Sequence, residues 1–326
     1  MPTLSVIIPC YFNEENIPVT ARELVANEVN FPADVAFEYV FVNDGSGDDT
    51  LGALRRAQAQ YPGRIRVVDL AGNVGSYNAV VAGMAYASGD CLAVITADLQ
   101  DPPELMAQMY DYWRNKDFKL VIGNRQDREE TGLSATLAKV FHWLMKHLAL
   151  RNIPDGGFDF VFFDRQVADE VLKLHERNSN VFYLMVWLGF AYVNIPYTRR
   201  KRKIGKSRWT LSKKIKLLID SLMAFSFVPI RAISGIGLAL GLTALAYGCY
   251  VIALKISHPN EPAGWTTLMV VLLFVSAFQM IALGVIGEYV WRGLDAARQR
   301  PLYVVKDVYP PLPDSLAPEP AGRQPV

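Results

Sequence analysis

Asp98, Gln100 and Asp101 place three oxygen-bearing side chains within one turn of chain, in an ADLQDPPE run spanning residues 97–104. The run follows a short apolar segment, residues 91–95, that reads as a buried strand. Carboxylate and amide oxygens at a strand's carboxyl end are hard ligands, suited to a divalent cation and to the phosphates such a cation bridges. Pro102 and Pro103 stop the strand and set up a helix at Glu104. A polar strand-to-helix loop with Asp as its cap carries the same local signature. The surrounding elements decide between the two.

Apolar runs of strand type at residues 4–9, 37–42, 65–70, 91–95 and 120–123 alternate with helical stretches near 17–29, 50–61, 76–87 and 103–115. Strand and helix in alternation predict an α/β fold, a doubly wound and mainly parallel sheet covered on both faces. Ligands of such a sheet bind beyond the carboxyl ends of its strands. Pro9-Cys10-Tyr11, Asn43-Asp44-Gly45-Ser46 and Asp98-Leu99-Gln100 each fall just after a strand, so three polar clusters converge on one edge as a pocket.

A chain of 326 residues is long enough for a soluble domain and something more. The net charge of +1 carries no polyanion-binding signature, and no nucleic-acid partner is expected. Cys10, Cys91 and Cys249 are scattered without C-x-x-C spacing, which suggests neither a disulfide framework nor a zinc cluster and fits a reducing compartment. Met1 leads directly into strand-like sequence without a basic and then apolar leader, which places the first half in the cytoplasm.

The second half is different. Residues 232–254 and 267–287 are apolar stretches of about twenty residues each, enough to cross a hydrocarbon core of about 30 Å as helices. They predict a transmembrane hairpin within 230–290. The RRKRK run at 199–203, Lys206, Arg208, Lys213, Lys214, Lys216 and Arg231 precede it, and Arg292, Arg298 and Arg300 follow it. The loop at 255–264 carries one Lys and one Glu. By the positive-inside rule both termini face the cytoplasm, with Trp265 and Trp291 as interfacial anchors of the second span in the inner (plasma) membrane. Residues 213–227 (KKIKLLIDSLMAFSF) read as an interfacial amphipathic helix inside the segment 211–229, which leaves 1–210 as the cytoplasmic domain. In the tail, 291–326, the chain after Pro301 turns Pro-rich and polar, a composition that buries no core and predicts disorder.

Taken in order, IIPCYFNEENI (7–17), FVNDGSGDDT (41–50), GNVGSYNAVVAGMAYASGD (72–90), ADLQDPPE and GNR (123–125) resemble the nucleotide-sugar-binding domain of family 2 glycosyltransferases. That resemblance implies a GT-A fold. GGFDFVFFDR (156–165), YTRRKRKIGKSRW (197–209) and the paired spans are similar to the branch that makes polyprenyl-phosphate sugars, the bactoprenol glucosyltransferases and dolichol-phosphate mannose synthases. It extends from about residue 4 to about residue 289.

The resemblance implies donor-binding roles for Pro9, Tyr11, Glu14 and Glu15 around the nucleobase and for Asp44 on base or ribose. It implies metal ligation by Asp98 and Gln100, with Mg or Mn neutralising the diphosphate leaving group. Thr96 stands where the commonest pattern has a further Asp, and Asn43 also replaces a frequent Asp, so the cation has fewer protein carboxylates. Asp159 matches the acceptor-side Asp and joins Asp98 as an expected catalytic residue. Arg199, Arg202 and Arg208 match the basic segment and are expected at the acceptor phosphate, because guanidinium forks suit phosphate oxygens.

The implied activity is inverting transfer of one hexose from a nucleotide diphosphate sugar, a UDP-sugar by preference, to polyprenyl phosphate at the cytoplasmic leaflet, for cell-envelope glycan modification. Association of copies through the spans is compatible with it. Two rivals share the catalytic domain. A processive polysaccharide synthase would need the Gln that Gly205 replaces ahead of Arg208-Trp209, and more spans than two; an inactive nucleotide-sugar-binding scaffold is suggested by Thr96 and Asn43.

Overall fold

The computed structural model describes residues 1–125, 146–147, 154, 158–176, 179–200, 219–257 and 264–310. The expected stretch of Arg202 and Arg208, the first part of the amphipathic segment and the terminal residues 311–326 lie outside the described residues.

β1 (Thr3–Cys10), β2 (Ala36–Asn43), β3 (Ile65–Leu70) and β4 (Cys91–Val94) are the apolar runs expected as strands, and they pair in parallel. Between them lie α1 (Ile17–Ala26), α2 (Thr50–Gln60) and α3 (Ser76–Tyr86), and α4 (Leu105–Lys116) leads to β5 (Leu120–Arg125). β6 (Phe160–Asp164) runs antiparallel between β4 and β5, and β7 (Tyr192–Tyr197) lies parallel to β5. With β8 (Val305–Tyr309), the order across the eight-stranded sheet is β7-β5-β6-β4-β1-β2-β3-β8.

Alternate side chains of the central strands enter two separate cores, as period two requires when both faces are covered. Leu4, Val6, Ile8, Tyr39, Phe41, Cys91 and Ala93 pack on the face carrying α1, α2 and α4. Ile7, Val40, Val42, Leu92 and Val94 pack on the opposite face with α3, α5 (Arg165–Leu172) and α6 (Val181–Trp187). Asp164 and Asn180 start those last two helices by accepting from Gln166 N and Phe182 N, both at 2.9 Å, as side-chain caps.

The tail expected to be disordered at its end, in the Pro-rich run 310–326, begins with structure that its composition did not signal: residues 305–309 form β8 and close the sheet antiparallel to β3. Leu302 is buried in the second core, and Ala71 N donates to Val304 O at 2.9 Å. A polar strand is stable there because it is an edge: only one side needs pairing, and Lys306 and Asp307 on it guard against further strand addition.

α7 (Val228–Ser257) and α8 (Trp265–Ala297) contain the two apolar spans, somewhat longer than expected. No residue of their apolar windows, Val228–Tyr250 and Val270–Ala297, is buried within the protein. Residues 219–225 are helical, with Leu222 and Phe225 packed on the second core. Arg292 of α8 holds this helix through Asp220 at 2.6 Å and pairs with Glu288 at 3.0 Å.

Candidate active site

The sheet presents its polar clusters at one edge. Beyond β1, Phe12 adopts a left-handed backbone, φ +55°, which a bulky side chain rarely takes. Its N–H donates to Ser46 Oγ at 3.1 Å and the next N–H, of Asn13, to Thr50 Oγ1 at 2.8 Å, so the loop after β2 fixes the loop after β1. Tyr11 is exposed, with its ring edge-on to Phe12 at 4.7 Å. Glu14 accepts from Asp49 N at 2.8 Å, Glu15 is exposed and Pro9 is half-buried in β1.

Beyond β2, Asp44 is 2% exposed. Its Oδ1 accepts from Val74 N at 2.7 Å, and its Oδ2 accepts from Gly75 N at 3.1 Å and Asn73 Nδ2 at 3.0 Å. Burial pushes the Asp44 carboxyl up, opposed by those two backbone donors. Three of about four acceptor positions are thus taken by residues 73–75, and the carboxylate's direct effect is to shape that loop. Gly45 makes the approach possible: at φ +60°, a Cβ on it would meet Asn73 N and Gly72 C at 2.5 Å.

Asn43 gives a physical reason for its departure from Asp. Its Nδ2 donates to the buried Asp69 Oδ1 at 2.7 Å and its Oδ1 accepts from Ser46 N at 3.3 Å. An Asp there would confront a second carboxylate; the amide turns repulsion into a bond.

Beyond β4, the Thr96 hydroxyl lies 2.8 Å from Asp98 Oδ1 and 3.1 Å from Asp101 Oδ2, one proton serving two carboxylates. Gln100 N donates to Asp98 Oδ1 at 3.3 Å. Asp101 is fully buried, and a buried carboxylate survives only when partnered. Tyr197, at the end of β7, donates to its Oδ1 at 2.5 Å, and Arg199 Nε stands 3.5 Å from the same oxygen. Burial first, then the Asp101 charge, pushes the Tyr197 phenol up, so it stays a donor at neutral pH.

Tyr197 also accepts from Arg125 Nε at 3.2 Å, and Arg125 forms an ion pair with Asp159. Gly123 leaves room for this ring, since a Cβ there would lie 3.1 Å from Tyr197 Cε1 and 3.2 Å from Phe160 Cδ1. One chain of contacts therefore runs from Asp159 through Arg125, Tyr197, Asp101 and Thr96 to Asp98. Arg200 bridges the same parts: its N–H donates to Gln100 O at 2.7 Å, its carbonyl accepts from Gln100 Nε2 at 3.3 Å, and its guanidinium reaches Glu104 at 2.8 Å.

A family model for glycosyl transferase family 2 matches residues 5–172, half of the chain. The chain belongs to this family. An uncharacterized glycosyltransferase, YkcC of Bacillus subtilis, is 36% identical over 306 residues, covering 94% of each chain. The bactoprenol glucosyl transferase of Shigella phage SfV is 30% identical, covering 93% of this chain and 98% of its own. A mannosyltransferase from Pyrobaculum calidifontis, solved with GDP-Man and Mn2+, covers 86% of this chain at 16% identity and a TM-score of 0.43. As a family 2 transferase the chain has the GT-A-type class expected of it, a mainly parallel sheet with one antiparallel strand inside it and one at its edge.

Of the residues singled out in the sequence, Asp98, Gln100, Arg199 and Asp159 are joined by the network just described, while Tyr11, Glu14, Glu15 and Asp44 line the β1–β2 side. Arg199 is drawn toward Asp101, which the acceptor role alone did not foresee. Tyr197, Phe12 and Arg125 each lie inside a motif that the sequence offers, YTRRKRK, IIPCYFNEENI and GNR, but none is singled out there as a site residue.

Proposed function

We propose that this family 2 transferase moves a single hexose from a nucleotide diphosphate sugar to polyprenyl phosphate at the cytoplasmic leaflet, inverting the anomeric centre. The observation that carries the reading is a strand-edge site in the same chain as two apolar helices whose spans hold no buried residue. Homology to a bactoprenol glucosyl transferase along nearly the whole chain supports the same acceptor.

Tyr11, Glu14, Glu15 and the loop held by Asp44 take the nucleoside, with UDP-sugars as the expected donors. Asp98 and Gln100 offer hard oxygen atoms at a half-exposed position, a donor set that fits Mg or Mn when phosphate oxygens and water complete it. Such a cation supplies charge neutralisation at the departing diphosphate.

The nucleophile is a lipid phosphate, anionic at neutral pH, so transfer calls for positioning and not for a strong base. Arg125 and Asp159 form a fixed charge pair on the acceptor side, and Arg199, with Arg202 and Arg208 further along, brings up the phosphate. Both termini are cytoplasmic in this topology, and the basic residues flanking the spans hold it.

The test is a panel of labelled nucleotide sugars offered with polyprenyl phosphate to the full-length protein. One donor gives label that extracts into organic solvent as a single-sugar lipid. Label confined to a water-soluble polymer, or none transferred while the donor binds, rejects the reading.

A further inference from the structure

β1 to β4 are mutually parallel, and the antiparallel β6 between β4 and β5 restores the same direction to β5 and β7. All six therefore end at one edge, the edge bearing Tyr11, Asp44, Asp98, Arg125 and Tyr197. β7 ends at this edge, and α7 is preceded by the helix at 219–225, which packs on the second core. The chain returns from α8 to the start of β8, and because β8 is antiparallel to β3, with Val305 beside Leu70, that start lies at the same edge. β7 and β8 are the outermost strands. Seven strand spacings separate them, about 34 Å at about 4.8 Å each.

The second connection is short and well fixed. From Ala297 to Val305 the chain spans at most about 27 Å. Leu302 is buried and Val304 O holds Ala71 N. Tyr309 lies under the Arg55 guanidinium at 4.8 Å, and Lys306 Nζ stands 4.0 Å from Asp69, the partner of Asn43. A domain attached only through the helix at 219–225, packed on the second core by Leu222 and Phe225, could rock about that contact; a further attachment through β8 at the outer flank of the edge removes that freedom.

We propose that β8 is a second membrane tether, a positioning element that holds the carboxyl edge of the sheet toward the lipid surface on which the acceptor phosphate is carried. This rests on the polyprenyl-phosphate reading above. The occupant of the gap facing this edge is the bilayer itself. The tether acts through orientation and contributes no group to the chemistry.

The test severs the tether and leaves the strand in the sheet. Residues 298–301 are exposed, so a site-specific protease sequence is placed there in the full-length protein, reconstituted in vesicles with polyprenyl phosphate. Orientation is read from a fluorophore on Ser76→Cys, at the carboxyl edge, and separately on Gln60→Cys, at the opposite end of α2, both in a Cys249→Ala background. The buried Cys10 and Cys91 are protected from labelling. Nitroxide-headgroup lipids quench the Ser76 probe more than the Gln60 probe, and cleavage brings the two together. Transfer to vesicle-borne acceptor falls at least tenfold on cleavage, while transfer to a short, water-soluble isoprenyl phosphate stays within twofold. Unchanged quenching after cleavage overturns the proposal, as does an equal loss with both acceptors, which would make β8 a support of the donor site. If quenching responds but neither acceptor is used even before cleavage, the tether stands and the polyprenyl-phosphate reading fails.

Discussion

The Tyr197 hydroxyl donates to the Asp101 carboxylate at 2.5 Å, fastening the end of an edge strand to the loop that carries Asp98. Because the same oxygen accepts from Arg125, the hydroxyl links the donor side of the site to the Arg125–Asp159 pair. Tyr197→Phe keeps the ring against Phe160 and removes only this link. Leaving a buried carboxylate short of one donor costs about 1–3 kcal/mol. The variant therefore melts a few degrees lower, binds donor nearly as well as the native protein, and transfers sugar about tenfold more slowly. Calorimetric donor titration beside turnover measurements checks this.

Thr96→Asp replaces the hydroxyl shared by Asp98 and Asp101 with a third carboxylate. Like charges crowded together destabilise the fold unless a cation joins them. In chelator the variant melts below the native protein, and Mn2+ raises its melting temperature by more than it raises the native value. Asp98→Asn, in a loop that tolerates the change, keeps the fold and loses transfer. An equal Mn2+ response from both proteins would show that no cation binds beside Thr96.

Asn43→Asp sets a second carboxylate against Asp69, where a 2.7 Å hydrogen bond stood. One of the two then carries a folded-state pKa raised by its neighbour's charge. A raised carboxyl pKa contributes stability below its unfolded value, about 4, and loses it as pH rises through the folded value. The stability deficit of the variant is thus small near pH 4 and grows toward neutrality to about 1–3 kcal/mol. Denaturant melts across that range read it directly.

Gly45→Ala forces a Cβ to within 2.5 Å of the 72–73 backbone at a left-handed position. Both loops must shift, and Asp44 loses its donors at 73–75. The expected result is weaker nucleotide binding, by about tenfold or more, since a lost buried hydrogen bond alone is worth about 1–3 kcal/mol. Gly63→Ala, also at positive φ but with nothing within 4 Å, is the control: it carries the backbone cost without the collision.

What the sequence made legible follows from burial. The central strands are covered on both faces, so β1 to β5 are apolar runs that stand out against their neighbours. The edge strands do not. β7 contains Pro196, which argues against a strand except where one side needs no partner, and β8 carries Lys306 and Asp307 and runs into Pro310. Neither stands out as a strand in the sequence, so the place of Tyr197 at a strand end is not legible there. Candidate site chemistry is legible where it is local, as in the single loop that carries Asp98 and Gln100. It is not where a residue's partner is distant in sequence: Asp69 lies 26 positions from Asn43, and Tyr197 lies 96 from Asp101. Asp44, conspicuous in its motif, turned out to hold a neighbouring loop for the same reason.

Passage of one hexose from a nucleotide to a lipid phosphate is read from the intact mass of the lipid product. Full-length protein, a divalent cation, UDP-hexose and polyprenyl phosphate are incubated together, and lipid and nucleotide are quantified from the same reaction. The expected product is polyprenyl phosphate heavier by one hexose, with one nucleoside diphosphate released per lipid modified and the anomeric configuration inverted. Lipid phosphate that stays unmodified with every nucleotide sugar that binds, or a product carrying several sugars in series, would contradict it.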